Sequence, residues 1–262
     1  MAYDRRETRK KWEAPVAENR SINKFISDSG LCSRRQADQL ILEGRVRING
    51  RVAKKGERVQ PGDRVLVDGT AVDGAGEKVY LALNKPRGIV CTTDRREPMN
   101  IVDYLNYPGR IFPIGRLDKD SCGLILLTSD GDIVNRVLRA TGQHQKEYQV
   151  TVDKPVTPRF LQRMQEGVPV LGQITLPCQI HQTGPRSFRL ILVQGLNRQI
   201  RRMCEYLGYE VTHLRRVRIM NIRLGRMQPG EYRELTEQEL DTLMNTLAQA
   251  ADDTATDVDD EE

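Results

Sequence analysis

The sequence predicts an α+β chain: a small unit over residues 20–68, then a larger one over residues 79–249 built on a mixed, largely antiparallel sheet. Three observations carry this expectation. Residues 69–78 lie in a Gly/Asp-rich run (DGTAVDGAGEK) without apolar periodicity, which reads as a linker. After it, strand-like runs often return without the helical crossover that parallel neighbours need. Finally, 262 residues with 38% hydrophobic content can bury a sizeable core without a disulfide staple.

The elements follow from local signals. Residues 1–19 are polar and charged and read as a flexible basic arm. Ser21 opens a short helical pattern, INKFISDSG, that ends at Gly30. Ser33 can cap a second helix, SRRQADQLILEG, in which Ala37, Leu40 and Ile41 share one face and Gly44 supplies the stop. VRI and RVA flank Asn49-Gly50, a tight hairpin signal, and QPGD at 60–63 turns into the strand VLV. In the larger unit, VYLALN and GIVCTT read as strands around NKPRG, and NIVDYL as a short helix. RIFPIG leads to the loop GRLDKDSCG and the apolar strand LILLT. Ser129 or Asp130 can cap the helix DIVNRVLRA. KEYQVTV and SFRLILV read as strands, PRFLQRMQEG as a helix, and Asn197 as the cap of RQIRRMCEYLG. VTHLRRVRIMNIRL reads as two strands with a bend, and Thr236 with Glu239 forms a capping box for the last helix. Residues 250–262 read as an acidic disordered tail.

The net charge of +5 hides an asymmetry. The last twelve residues hold seven acids and no base, so residues 1–250 carry 41 bases against 29 acids, a net +12. Such a body attracts polyanions, of which nucleic acid is the commonest. Five cysteines, with no Cys-x-x-Cys pair, and three scattered histidines give no zinc or disulfide framework. Neither a G-x-G-x-x-G nor a phosphate-loop pattern supports a nucleotide cofactor. No apolar run approaches the ~18 residues of a membrane span, and the first twelve residues lack a secretory apolar core. The expectation is a cytoplasmic protein with no metal and no cofactor.

Residues 20–51 contain seven bases and three acids. Arg34 and Arg35 fall in the first turn of the second predicted helix, where bases oppose the helix dipole. Beside a phosphate backbone they and the free helix N–H groups would share one ligand. The run INKFISDSGLCSRRQADQLILEGRVRING is similar to an S4 RNA-binding domain. That resemblance implies RNA binding through the Arg-bearing helix.

Asp118 sits in a polar loop before a very apolar strand, with Gly115 and Gly123 on either side and Arg116, Lys119 and Asp120 around it. Residues 195–226 hold eight arginines and two glutamates. Arg198, Arg201 and Arg202 are spaced to lie on one side of a helix, with Ile200, Met203 and Cys204 available to the apolar side. Some of these arginines can bind phosphate, and one can turn inward to hold a partly buried carboxylate ionised. Spacing alone leaves open which arginine pairs with which acid.

These segments resemble the pseudouridine synthases, most closely the RsuA type of bacterial rRNA synthase, and within it the members that act on the large subunit. Gly-Arg-Leu-Asp followed by Gly-Leu is similar to the active-site loop and implies that Asp118 is the nucleophile. KEYQVTV implies that Tyr148 packs against the target base, and LNRQIRRM that Arg201 pairs with the aspartate. ALNKPRG resembles the segment that opens the catalytic domain. Arg116 falls on an arginine that contacts RNA at the flipped site, and RNA contact is extended to Leu117, Lys119, Arg198, Gln199 and Ile200. Cys122 departs from the family pattern, and the arm and tail lie outside it.

The resemblance implies isomerisation of uridine to pseudouridine by a monomer. Its expected substrate is ribosomal RNA, a 23S stem-loop first, with transfer RNA as a second candidate. A carboxylate beside an electron-poor sugar or base carbon suits this chemistry. The target must leave its stack. The rival readings are a non-catalytic RNA chaperone or ribosome assembly factor, and a hydrolytic base-removing enzyme.

Overall fold

The computed structural model describes residues 19–73, 78–138 and 144–256. The expected arm up to residue 18, linker residues 74–77, the last two residues of DIVNRVLRA and the acidic end from residue 257 lie outside the described residues. Two compact units divide before Lys78. No described helix is long and apolar enough to cross a membrane.

The first unit runs β1 (Arg20–Ser21), α1 (Ile22–Asp28), α2 (Arg34–Leu42), β2 (Val46–Ile48), β3 (Arg51–Val52), β4 (Arg58–Val59), β5 (Val65–Val67) and β6 (Thr70–Ala71). Strands β3-β2-β5-β6 form one antiparallel sheet, and β1 pairs with β4. Ile22, Ile26, Ala37 and Ile41 from the helices are buried on Val46, Ile48, Val65 and Val67. Each fully buried Ile or Val contributes about 1.5–3 kcal/mol. Ser33 caps α2 as expected and Gln36 closes the box: its N–H donates to Ser33 Oγ and its Oε1 accepts from the Ser33 N–H. Arg34 and Arg35 are exposed at the end this cap fixes. Two expectations shift. Asn19, at the end of the predicted arm, accepts hydrogen bonds from the Arg58 guanidinium. Thr70–Ala71 extend the sheet by pairing with Leu66–Val67, so the linker starts later than residue 69.

The second unit runs β7 (Tyr80–Lys85), α3 (Ile101–Leu105), β8 (Phe112–Ile114), β9 (Cys122–Thr128), α4 (Gly131–Leu138), β10 (Lys146–Val152), α5 (Pro158–Glu166), β11 (Pro169–Val170), β12 (Gln173–Ile174), β13 (Gln179–Gly184), β14 (Ser187–Leu192), α6 (Gln199–Tyr206), β15 (Val211–Ile219), β16 (Ile222–Arg223), β17 (Tyr232–Glu234) and α7 (Glu237–Thr256). Its main sheet has the order β13-β14-β10-β15-β9-β7-β17, with β16 on β15 and β8 on β9. Every described pairing in it is antiparallel except β9 with β15. The apolar run of β9 is explained by burial on both faces. Leu124 and Leu126 join the cluster under α4 and α7, while Ile125 and Leu127 join the one around α3. Glu147 of β10 is buried between Arg218 of β15 (2.9 Å) and Arg189 of β14 (3.1 Å), tying the three strands together.

Three further readings are corrected. GIVCTT is not a strand. Ile89 and Cys91 are buried against Ile101, and only the bridge between Val90 and Asn100 remains. Helix α6 is capped by Arg198 rather than Asn197, because Arg198 takes a left-handed conformation (φ 50°) and Asn197 instead accepts from Arg202. Helix α7 continues to Thr256, into the expected tail, because Ala248, Ala250 and Ala251 extend a helix at little cost.

Gly123 is where the parallel pairing closes. Its φ is +103°, and a Cβ there would sit 2.2 Å from the Arg216 carbonyl oxygen. Gly123→Ala is expected to lower stability by at least ~2 kcal/mol. Urea unfolding checks this, with a reduced midpoint at unchanged slope as the expected result.

Candidate active site

The loop 115–121 leaves β8 and turns into β9, and Asp118 stands at its crest. Backbone bonds hold its shape: Ser121 N–H donates to Asp118 C=O (3.0 Å) and Gly88 N–H to Lys119 C=O (2.8 Å). The second bond docks the NKPRG turn onto the loop. That turn is itself held by buried Lys85, whose Nζ donates to the carbonyls of Pro86 and Ile89. Burial pushes the Lys85 ammonium below the usual lysine range. Leu117 points down into the cluster around Ile89 and Ile101 and anchors the loop from beneath.

Helix α6 brings two guanidinium groups to Asp118. Arg198 Nη1 lies 3.6 Å and Arg201 Nε 3.8 Å from Oδ2. Arg201 is the more enclosed. It donates to Val211 C=O, Ser121 Oγ and Asp120 C=O, which leaves Nε without a hydrogen-bond partner and turned to the carboxylate. Burial first, and the like charge of Arg198 second, push Arg201 below the ordinary arginine value, while Asp118 and Asp120 oppose that shift. Arg198 reaches the acid because its backbone accepts the left-handed region, a strain of about 1–3 kcal/mol for a non-glycine residue. Both approaches are longer than a hydrogen bond. The carboxylate, 28% exposed, is held by charge and keeps lone pairs free for a reacting atom.

A cleft of about 450 Å³, counted with its open mouth, lies over this acid. Its walls include Tyr148, Leu192, Leu196, Ile200 and Leu214, with Asp118, Arg198 and Arg201 as its charged groups beside Arg116. Tyr148 comes from β10 and Leu214 from β15, so the sheet forms the floor and the loop and α6 the rim. A flat apolar wall facing one acid flanked by cations is suited to a planar polar ring carried on a polyanion. Among the described residues no group of three or more His, Cys, Asp or Glu could hold a metal.

Comparison with known proteins decides the family. Residues 79–206 match the RNA pseudouridylate synthase model and residues 20–65 the S4 domain model. The dual-specificity RNA pseudouridine synthase RluF of Salmonella typhi is 55% identical over 228 residues, covering 86% of this chain and 79% of its own. The chain belongs to the RNA pseudouridine synthase family. RluF of Escherichia coli K12 is 54% identical over the same length, and the ribosomal large subunit pseudouridine synthase B of Bacillus subtilis 34% over 232 residues, with 85% of this chain and 94% of that one covered. A solved pseudouridylate synthase superposes with a TM-score of 0.63 at 30% identity, covering 87% of this chain and all of that one. The chain is therefore an isomerase acting on RNA, with an S4 unit and a largely antiparallel catalytic sheet.

The residues expected from the sequence divide by exposure. Asp118, Tyr148 and Arg201 line one cleft. Arg116, Lys119 and Arg198 are exposed around it. Leu117, Gln199 and Ile200 are buried, and they act as wall and support rather than as a solvent-facing RNA surface. Gln199 spends its amide on Leu196 N–H and Gln194 Oε1 at the helix start. Arg198 as a second partner of Asp118 was not legible, because only its left-handed backbone turns it toward the acid. Cys122, whose thiol burial pushes up, contacts His213 beside the loop.

The two arginines should differ in weight. Arg201→Met is expected to reduce single-turnover conversion by about 100-fold, the order of loss seen when one preorganised polar group at a reacting centre is removed. Arg198→Asn, which tolerates the left-handed backbone, should cost less than about tenfold, as exposed pairs are worth up to ~1 kcal/mol. Rapid-quench assays on both variants check the ranking, and a reversed order would make Arg198 the principal partner.

Proposed function

We propose that this synthase isomerises one uridine of ribosomal RNA, in a stem-loop of the large-subunit RNA, with Asp118 as the reacting carboxylate. The N1–C1′ bond breaks, the uracil turns, C5 bonds to C1′, and the C5 proton is exchanged for one on N1, so no atoms are gained or lost. The observation that carries the reading is a carboxylate with Arg201 and Arg198 within 4 Å but free of hydrogen bonds to them, on the rim of a cleft that Tyr148 also lines. Stacking of the extruded uracil on Tyr148 is worth about 1–3 kcal/mol. Arg116, exposed two residues before the acid, fills the place the base leaves. Lys119 and Arg198 meet neighbouring phosphates.

The S4 unit grips the RNA backbone through Arg34 and Arg35, while the larger unit takes the nucleotide. The names of the relatives support the substrate: two are dual-specificity RNA synthases and one is a large-subunit ribosomal synthase. The word dual-specificity supports a second RNA class here as well, for which transfer RNA is the candidate. We read the enzyme as a cytoplasmic monomer, in keeping with a ribosomal RNA substrate.

Asp118→Asn is expected to keep RNA affinity within about twofold and to abolish conversion, read by chemical labelling of pseudouridine and primer extension. Persistent conversion would displace Asp118 as the reacting group. Tight binding without any product from the unaltered protein would favour an assembly factor, and an abasic product a hydrolase. Arg34→Ala with Arg35→Ala should weaken binding and flatten its salt dependence by up to about two phosphate contacts, each worth ~0.7–0.9 in log–log slope. An unchanged slope in a salt titration removes the first unit from the RNA interface.

A further inference from the structure

Beneath the cleft, β15 carries Arg216 between the strands that bear Tyr148 and the Asp118 loop. It pairs in register with Tyr148 on β10 and with Gly123 on β9. Arg216 is 4% exposed, and among the described residues no carboxylate forms an ion pair with it. Its Nε donates to Leu124 C=O at 2.7 Å and its Nη1 to Arg116 C=O at 3.4 Å, while Nη2 has no protein partner. Two lysines share this surrounding: Lys85 and Lys146 are both pushed below the usual lysine range, by burial first and by the like charge of Arg216 as a lesser cause. An enclosed guanidinium without a counter-charge is an unfavourable way to fill a sheet, and an apolar side chain of similar length would pack there at less cost.

What the arginine does in return is visible in its acceptors. The Arg116 carbonyl lies two residues before Asp118, and the Leu124 carbonyl lies just past the turn into β9. One planar, rigid fork thus spans both ends of the catalytic loop. Gly123 shortens the reach: without a side chain it lets the backbones of β9 and β15 approach until a Cβ would collide with Arg216 itself. Arg201 grips the loop from the helix side, at Asp120 and Ser121. Arg216 grips it from the sheet side.

We infer that Arg216 is a positioning residue for the isomerisation, acting through the Arg116 carbonyl to set the height of Asp118 relative to the Tyr148 wall. The inference rests on the reading of Asp118 as the reacting carboxylate. It assigns no contact between Arg216 and the RNA. Lysine cannot replace it, because a single ammonium on a flexible stem does not span two carbonyls in a fixed plane.

The test compares Arg216→Met and Arg216→Lys with the unaltered enzyme in single-turnover conversion of a ribosomal RNA fragment, RNA affinity and thermal unfolding, with Asp118→Asn in parallel. Methionine fills the stem and removes the enclosed charge. The expected result is a rate lowered on the order of 100-fold in both variants, as for a reacting group displaced by about an ångström, with RNA affinity within twofold and cooperative unfolding retained. A conversion rate within twofold of the unaltered enzyme in either folded variant overturns the inference. So does a loss of RNA affinity as large as the loss of rate. Should Arg216→Met fail to fold, the lysine variant decides by the same two measurements. Conversion surviving in Asp118→Asn marks failure of the underlying reading, whereas an inactive Asp118→Asn beside a fully active Arg216→Lys marks failure of this inference alone.

Discussion

The site depends on charge held at a distance slightly too long for a hydrogen bond. Two guanidinium groups stand within 4 Å of Asp118 Oδ2, and neither spends a proton on it. A carboxylate bonded tightly to arginine is blunted as a nucleophile, and one without a cation nearby has nothing to balance the charge that develops in the reaction. The arrangement here lies between these extremes. It persists because the hydrogen bonds of Arg201 go to Val211, Ser121 and Asp120, so its remaining Nε cannot close on the acid without giving them up.

That geometry is a product of sheet topology. The loop leads into β9, the apolar wall belongs to β10 and β15, and the cations to α6, so the N-terminal β9–β10 stretch must meet the later α6–β15 stretch. The single parallel pairing, β9 with β15, brings them into register, and it closes only because residue 123 is glycine. The remaining pairings are antiparallel and the strand order is irregular, so the crevice lies over the sheet rather than at a switch point of a doubly wound fold.

Much of this was legible in the residues. The cap at Ser33, the Asn49-Gly50 hairpin and the Thr236–Glu239 box follow local rules, and each forms where local chemistry places it. The fully apolar run of β9 announced burial on both faces. Reading failed where tertiary contacts overrode local preference. GIVCTT has strand-forming residues, yet packing of Ile89 and Cys91 against α3 leaves it without a ladder. Asn197 is a better cap than Arg198 by every local rule, and the structure caps with the arginine. That violation puts a second cation on Asp118, in keeping with strain collecting at functional positions. Arg216 left no local trace, because its meaning lies in carbonyl groups 92 and 100 residues earlier.

The same long separation bears on how the enzyme comes into being. A chain emerging at about 5–20 residues per second delivers Asp118 to the outside several seconds before strand β15 follows. Until then the acid has neither its fork from below nor its helix from above, and the sheet lacks the strand that joins its two halves. Any portion of the chain that ends before β15 therefore lacks both braces on the catalytic loop.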